Sequence, residues 1–198
     1  TATAVDIFNL PADHITRDMR RVAKTVVFGI LYGISPFGLA SNLSIPQQDA
    51  KKYIDAYFER YAGVKAYIDR TVEEAKQHGY VTTMLGRRRP IPELLGKDPT
   101  QRSFGERIAM NSPIQGSAAD LIKLAMISVS HRIKTDLPVT KMILQVHDEL
   151  IFEVPESEIE PATRLIRHEM EHTGTQLGLS VPLKVDVGTG HNWRVAHP

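Results

Sequence analysis

The chain has 198 residues, 42% of them hydrophobic and 24% charged, and no cysteine, which excludes disulfides and cysteine-ligated metals. That is enough chain for one large domain or two small ones with a proper core. The net charge of +1 hides an asymmetry: of 24 Lys and Arg and 23 Asp and Glu, residues 148–198 hold 4 and 9, leaving 20 and 14 in the first 147 residues.

No apolar run approaches the roughly 18 to 20 residues that a membrane-spanning helix needs, and no signal peptide is visible. Residues 1–9 read as the end of a helix, and Pro11 punctuates the break after it. With Asp13 or Thr16 as its N-cap, a helix is predicted over about 17–31. Ser35-Pro36 marks a turn before a short helical piece. Two helices are predicted over about 46–61 and 64–78, separated by Gly63 and closed by Gly79. "YVTTMLGRRRPIP" is β-like, turning around Leu85-Gly86.

A loop then leads into helical residues 101–111, and Ser112-Pro113 is expected to end that helix and start another, running to about Lys134 with a wide apolar face. "VTKMILQVHDELIFEVP" predicts two strands meeting near His147-Asp148, a hairpin over about 142–154. A helix over about 156–173 and a strand at "VPLKVDVG" are expected to finish the fold. The fold class is α+β, with a soft boundary near residue 100 between a mostly helical part and a part with a small antiparallel sheet packed on helices.

Arg20, Lys24, Phe28 and Tyr32 recur every four residues, so they form a slowly winding stripe about 18 Å long on one helix. Cations occupy one end and aromatic rings the other. A nucleoside triphosphate has the matching layout: Arg suits bidentate phosphate contact, Lys a point contact, and aromatic rings pack on base and sugar. Like charges four apart repel and cations near a helix start oppose its dipole, which calls for an anion to offset both. An amphipathic helix with its rings in a core and its cations in water has the same spacing, and both readings stand at this point. Further cations cluster at Arg87, Arg88 and Arg89, and at Arg102 and Arg107; nucleic acid is the first candidate partner, a solvated basic surface the other. Asp148 and Glu149 lie between two apolar runs, where carboxylates reach a hard cation such as Mg²⁺ without burying charge; a solvated hairpin tip looks the same. Arg107, Asn111 and Gln115 are spaced by four, but the Ser112-Pro113 break means they need not share one helix. Ser112-x-x-Gln115 also has the form of a capping box.

Taken together, the string Arg20-x3-Lys24-x3-Phe28-x3-Tyr32-Gly33, "GRRRPIP", "NSPIQGSAADLIKLAM", "QVHDEL" at 145–150 and "VDVGTGHNW" strongly resemble, in order, the motifs of family A DNA polymerases. The resemblance covers essentially the whole chain. It implies a fingers subdomain over 1–100 and the C-terminal part of a palm over 101–198. It implies that Arg20 and Lys24 grip the triphosphate of an incoming dNTP, that Phe28 packs on its sugar and base, and that Tyr32 and Gly33 sit by the template. Asp148 becomes a catalytic metal ligand, Glu149 an accessory carboxylate, and His147 a neighbour of the primer terminus. Asn111 and Gln115 are directed at the nascent duplex and Arg107 at backbone phosphate, with Arg87 to Arg89 more loosely so. Val27 departs from the family, which often carries Asn there.

The implied cofactor is Mg²⁺, two ions about 3.5 to 4 Å apart. The implied partners are primer-template DNA and dNTP, with no membrane, in DNA replication or repair. A bacterial or phage-infected cytoplasm is the implied setting, an organelle the other. The family's first catalytic aspartate, in a motif resembling D-Y-S-Q-I-E-L-R, has no counterpart here. The thumb and first palm strands are missing as well. An upstream segment or partner chain is therefore expected to supply them, and the chain alone is expected to be inactive. The rival expectation is a non-catalytic nucleic-acid-binding module that keeps the fold.

Overall fold

Thr16 starts the helix that carries the stripe: its hydroxyl accepts the Met19 N–H at 3.2 Å, and the helix, α2, runs Arg17–Leu31. In the computed structural model, which describes residues 2–197, α2 turns Ala23, Val26 and Ile30 inward. Around it stand α1 (Ala2–Phe8), α3 (Pro36–Leu43), α4 (Gln47–Arg60) and α5 (Ala62–His78). Their shared core includes Ile7, Val26, Leu39, Ala50, Tyr57 and Ile68. Tyr61 ties the ends of this bundle together, donating to the Asp6 carboxylate at 2.8 Å. The two central helices part at Tyr61, one turn-forming residue, while Gly63 lies inside α5.

After α5, Gly79 takes the left-handed conformation and opens an antiparallel hairpin of β1 (Tyr80–Thr82) and β2 (Arg88–Pro90), with Val81 facing Arg89. Val81 and Ile91 then join Val72, Ala75, Leu94 and Ala109 in a second small core. The next helix, α6, spans Pro99–Asp136 without a break. This corrects the expectation of two helices meeting at Ser112-Pro113. Proline inside a helix removes one backbone hydrogen bond and costs about 3 kcal/mol. Burial on both sides of the proline overrides that local preference, with Ala109 in the core just described and Val129 and Ile133 in a later one. Ser112 is consequently not an N-cap, and the capping-box reading of Gln115 falls with it.

Two compact units are present, residues 1–116 and 117–198, dividing inside α6. In the second unit β3 (Lys141–Val146) pairs with β4 (Glu149–Glu153), with a bulge between Met142 and Leu144. Met142 and Phe152 pack the hairpin on Val129 and Ile133 of α6 and on Ala162 and Ile166 of α7 (Ile159–Gln176). Within the same unit, buried Glu169 accepts from the Ser128 hydroxyl and lies 3.8 Å from Arg132, so a charge inside the unit has its partners. The α+β class stands, as helices with two small antiparallel sheets.

One expected strand does not form: residues 181–188, "VPLKVDVG", are irregular. A strand requires a neighbour that offers a hydrogen-bonding edge. Here the Val185 N–H instead donates to the Glu171 carboxylate at 3.0 Å, and Leu183 rests against Gly174. A short helix, α8 (Trp193–Ala196), follows, capped by Asn192. No helix among the described residues is long and apolar enough to cross a membrane.

Candidate nucleotide and nucleic-acid interface

Burial of Ala23, Val26 and Ile30 rotates the opposite face of α2 outward, and Arg20, Lys24, Phe28 and Tyr32 are all exposed. Phe28 and Tyr32 keep 48% and 46% of their surface in contact with solvent, which removes the reading in which they fill a core. The Lys24 ammonium lies 5.7 Å from the centre of the Phe28 ring, close enough for a cation–π attraction. Arg20 donates to the Ile15 carbonyl at 3.3 Å, and Arg21 is drawn aside to Asp18 at 3.3 Å. The helix therefore holds its cations apart along the stripe rather than bunching them.

Tyr32 caps the C-terminus of α2, and Gly33 follows with φ +71°, a conformation that a side chain strains to adopt. A Cβ at Gly33 would lie 2.9 Å from Arg107 Cγ and 3.0 Å from Met110 Sδ. The glycine thus lets α6 approach the end of α2, which brings Arg107 beside Phe28 and Tyr32. These residues line one open cleft of about 510 Å³. Arg107 donates to Ser103 Oγ at 3.1 Å and lies 5.8 Å from the Phe104 ring. Thr25, Ser35 and Asn42 line the cleft too, and the sequence reading missed them. A signal existed in the spacing of Ser35, Gly38 and Asn42, which puts all three on one face of α3 and its cap.

Because α6 continues through Pro113, Arg107, Asn111 and Gln115 share one helix after all and form a second stripe, about 12 Å long. Gln115 is exposed and borders a small hollow of about 60 Å³, with Arg87, Arg89, Thr83 and Ser112 around it. The arginine triplet divides its contacts. The Arg87 guanidinium donates to the Gly116 carbonyl at 3.0 Å, the Arg88 guanidinium stands 4.8 Å from the Tyr80 ring, and Arg89 borders the hollow.

In the second unit, His147 and Asp148 form the β3–β4 turn. His147 has φ +52°, and its carbonyl accepts from the Gln145 amide at 3.0 Å, which fixes a strained turn residue. Asp148 is exposed, and Glu149 opens β4 with its carboxylate 2.9 Å from His197 Nε2. Among the described residues no group of three or more His, Asp and Glu converges on one point. The hard oxygens of Asp148 and Glu149 nonetheless suit Mg²⁺, which takes one or two carboxylates and completes its shell with water and phosphate.

A model of DNA polymerase family A matches residues 1–195. DNA polymerase I of Bacillus subtilis (strain 168) is 53% identical over 193 residues, covering 98% of this chain and 22% of that protein. DNA polymerase I of Geobacillus stearothermophilus is 52% identical over the same length and shares. Among solved structures, the POL domain of Pol1 from M. smegmatis, in complex with DNA primer-template and dNTP, superposes with a TM-score of 0.92. It is 43% identical, and the match covers 98% of this chain and 34% of that one. The chain thus spans about a fifth of the length of the curated relatives it matches.

Proposed function

Because the chain belongs to DNA polymerase family A, we propose that it forms the fingers, residues 1–100, and the C-terminal part of the palm, residues 101–198, of a DNA-directed DNA polymerase. It binds an incoming dNTP and primer-template DNA and contributes to nucleotidyl transfer onto the primer 3′ end, with pyrophosphate as leaving group. The observation that carries this reading is the exposed stripe of α2, cations first and rings after, which runs into the cleft that Arg107 also lines. The solved relative whose complex includes primer-template and dNTP supports it.

In this reading Arg20 holds the triphosphate oxygens by its fork of donors, and Lys24 by a point charge. Both leave the chemistry to positioning and charge stabilisation. Phe28 packs on the sugar and base, and Tyr32 and Gly33 border the templating position. Arg107 takes a backbone phosphate, while Asn111 and Gln115 donate to minor-groove acceptors, which are similar in every base pair and so report pairing geometry. His147 lies near the primer terminus. Asp148 and accessory Glu149 supply one side of a two-ion Mg²⁺ site, and Mg²⁺ when bound contributes Lewis-acid stabilisation of the developing charge. The other catalytic aspartate and the thumb come from an upstream segment or a partner chain, in keeping with the fifth of the relatives' length spanned here.

Primer extension tests this directly. The chain alone is expected to extend nothing, and addition of the upstream polymerase segment is expected to restore extension. DNA binding without extension in either case leaves a non-catalytic module and removes the enzyme reading. In the complete polymerase, Lys24→Ala and Asp148→Asn are each expected to lower kcat/KM by about a hundredfold or more. Near-normal kinetics in either variant strips that residue of its role.

A further inference from the structure

The β1–β2 hairpin, whose Val81 packs with Ala109 of α6, also meets that helix beside Gln115. A Cβ on Gly116 would fall 2.6 Å from Thr83 Cγ2, so the glycine lets the hairpin turn sit directly on the helix. The contact is fixed from the other side by Arg87. Its guanidinium donates to the Gly116 carbonyl at 3.0 Å. Its backbone is held in turn, because the Arg87 N–H donates to Thr83 Oγ1 at 3.2 Å and the Thr83 N–H donates to the Arg87 carbonyl at 3.0 Å. Gly86, at φ +77°, closes the turn that makes this pairing possible. The anchored carbonyl lies three residues past Pro113, which contributes no backbone donor to the helix. Gln115, whose backbone immediately precedes the clamped residue, is itself exposed and borders the hollow between hairpin and helix.

We propose that Arg87 is a positioning residue for Gln115: by clamping the Gly116 carbonyl to the hairpin it sets where the Gln115 amide is presented to the nascent base pair. The proposal rests on the reading of Gln115 as a minor-groove contact. It assigns to Arg87 a duty different from the phosphate contact that its place in a basic triplet suggests. It also gives the hairpin a function, as a strut that holds one turn of α6 in place beside a proline.

The test uses the complete polymerase and single-nucleotide extension from matched and mismatched primer ends. Gln115→Ala and Arg87→Ala are each expected to change discrimination between the two ends by roughly tenfold, the scale of one lost hydrogen bond. The double variant is expected to be no worse than Gln115→Ala alone, since both remove one effect. Gly116→Ala is expected to reproduce the defect, and Thr83→Ser in the same chain to relieve it, because serine removes the methyl that a new Cβ would meet and keeps the hydroxyl that accepts from Arg87. Salt dependence of DNA binding is expected to be the same in Arg87→Ala as in the parent.

Losses that multiply in the double variant overturn the proposal, as does a lowered salt slope, which marks a direct phosphate contact. Failure of Thr83→Ser to relieve Gly116→Ala also overturns it. If Gln115→Ala itself extends both primer ends as the parent does, the minor-groove reading falls and takes the proposal with it.

Discussion

Lys24 and Tyr57 show how far single residues can be read before coordinates exist. Lys24 stands out because its neighbours along the helix are another cation and an aromatic ring at matching spacing, and the structure keeps that order at the surface. Tyr57 falls at helical spacing with Tyr53, Ile54, Phe58 and Tyr61; its ring is buried, 6% exposed, and its phenol is pushed above its ordinary range by burial and then by the neighbouring Tyr61 hydroxyl. An acid whose folded form keeps its proton longer contributes stability that is intact below the unfolded value, about 10, and is lost as pH rises through the folded one. Tyr57→Phe is therefore expected to flatten the fall in stability above pH ~10, measured as urea midpoint against pH. If parent and variant decline in parallel, the buried phenol does not govern alkaline stability. Nothing in spacing alone distinguishes the buried Tyr57 from the exposed Phe28 and Tyr32. The difference comes from which helices pack on which face, and that is a tertiary property.

At the scale of elements, local chemistry was legible wherever one residue decides the backbone. Thr16 caps α2, Gly79 ends α5, and the His147-Asp148 pair turns β3 into β4, each as the sequence signals indicate. Two signals misled. Ser112-Pro113 has every mark of a helix boundary, yet α6 passes through it because burial at Ala109 and, further on, at Val129 and Ile133 outweighs one missing bond. "VPLKVDVG" alternates like a strand, but alternation says nothing about whether an edge is on offer, and Glu171 takes the Val185 N–H instead. The helix reading has a consequence. Pro113→Ala restores a donor to a continuous helix, so it is expected to raise stability by about 1–3 kcal/mol, read as a higher thermal midpoint. At a true helix start, where proline is favoured at the first position, the same change is expected to be neutral or destabilising. The sign of the shift decides between the two.

Across the whole molecule the net charge is positive before residue 148 and negative from there on, which on its own suggests a nucleic-acid partner without saying which charges meet it. The contacts of the arginine triplet sharpen the question. Arg87 is engaged by the Gly116 carbonyl and Arg88 stands over Tyr80, while Arg89 borders the hollow beside Gln115. A phosphate contact releases counterions, so each one adds about 0.9 to the slope of log affinity against log salt on duplex DNA. In the complete polymerase bound to primer-template, Arg89→Gln is expected to lower that slope by about 0.9 and Arg88→Gln to leave it unchanged. Equal slopes in parent and both variants reduce the triplet to a solvated basic surface with one structural member. Equal losses in both variants mean that Arg88 leaves the Tyr80 ring to reach the backbone when DNA arrives. Three adjacent identical letters could not be told apart in the sequence because their duties depend on the partners that the β1–β2 hairpin brings alongside each in turn.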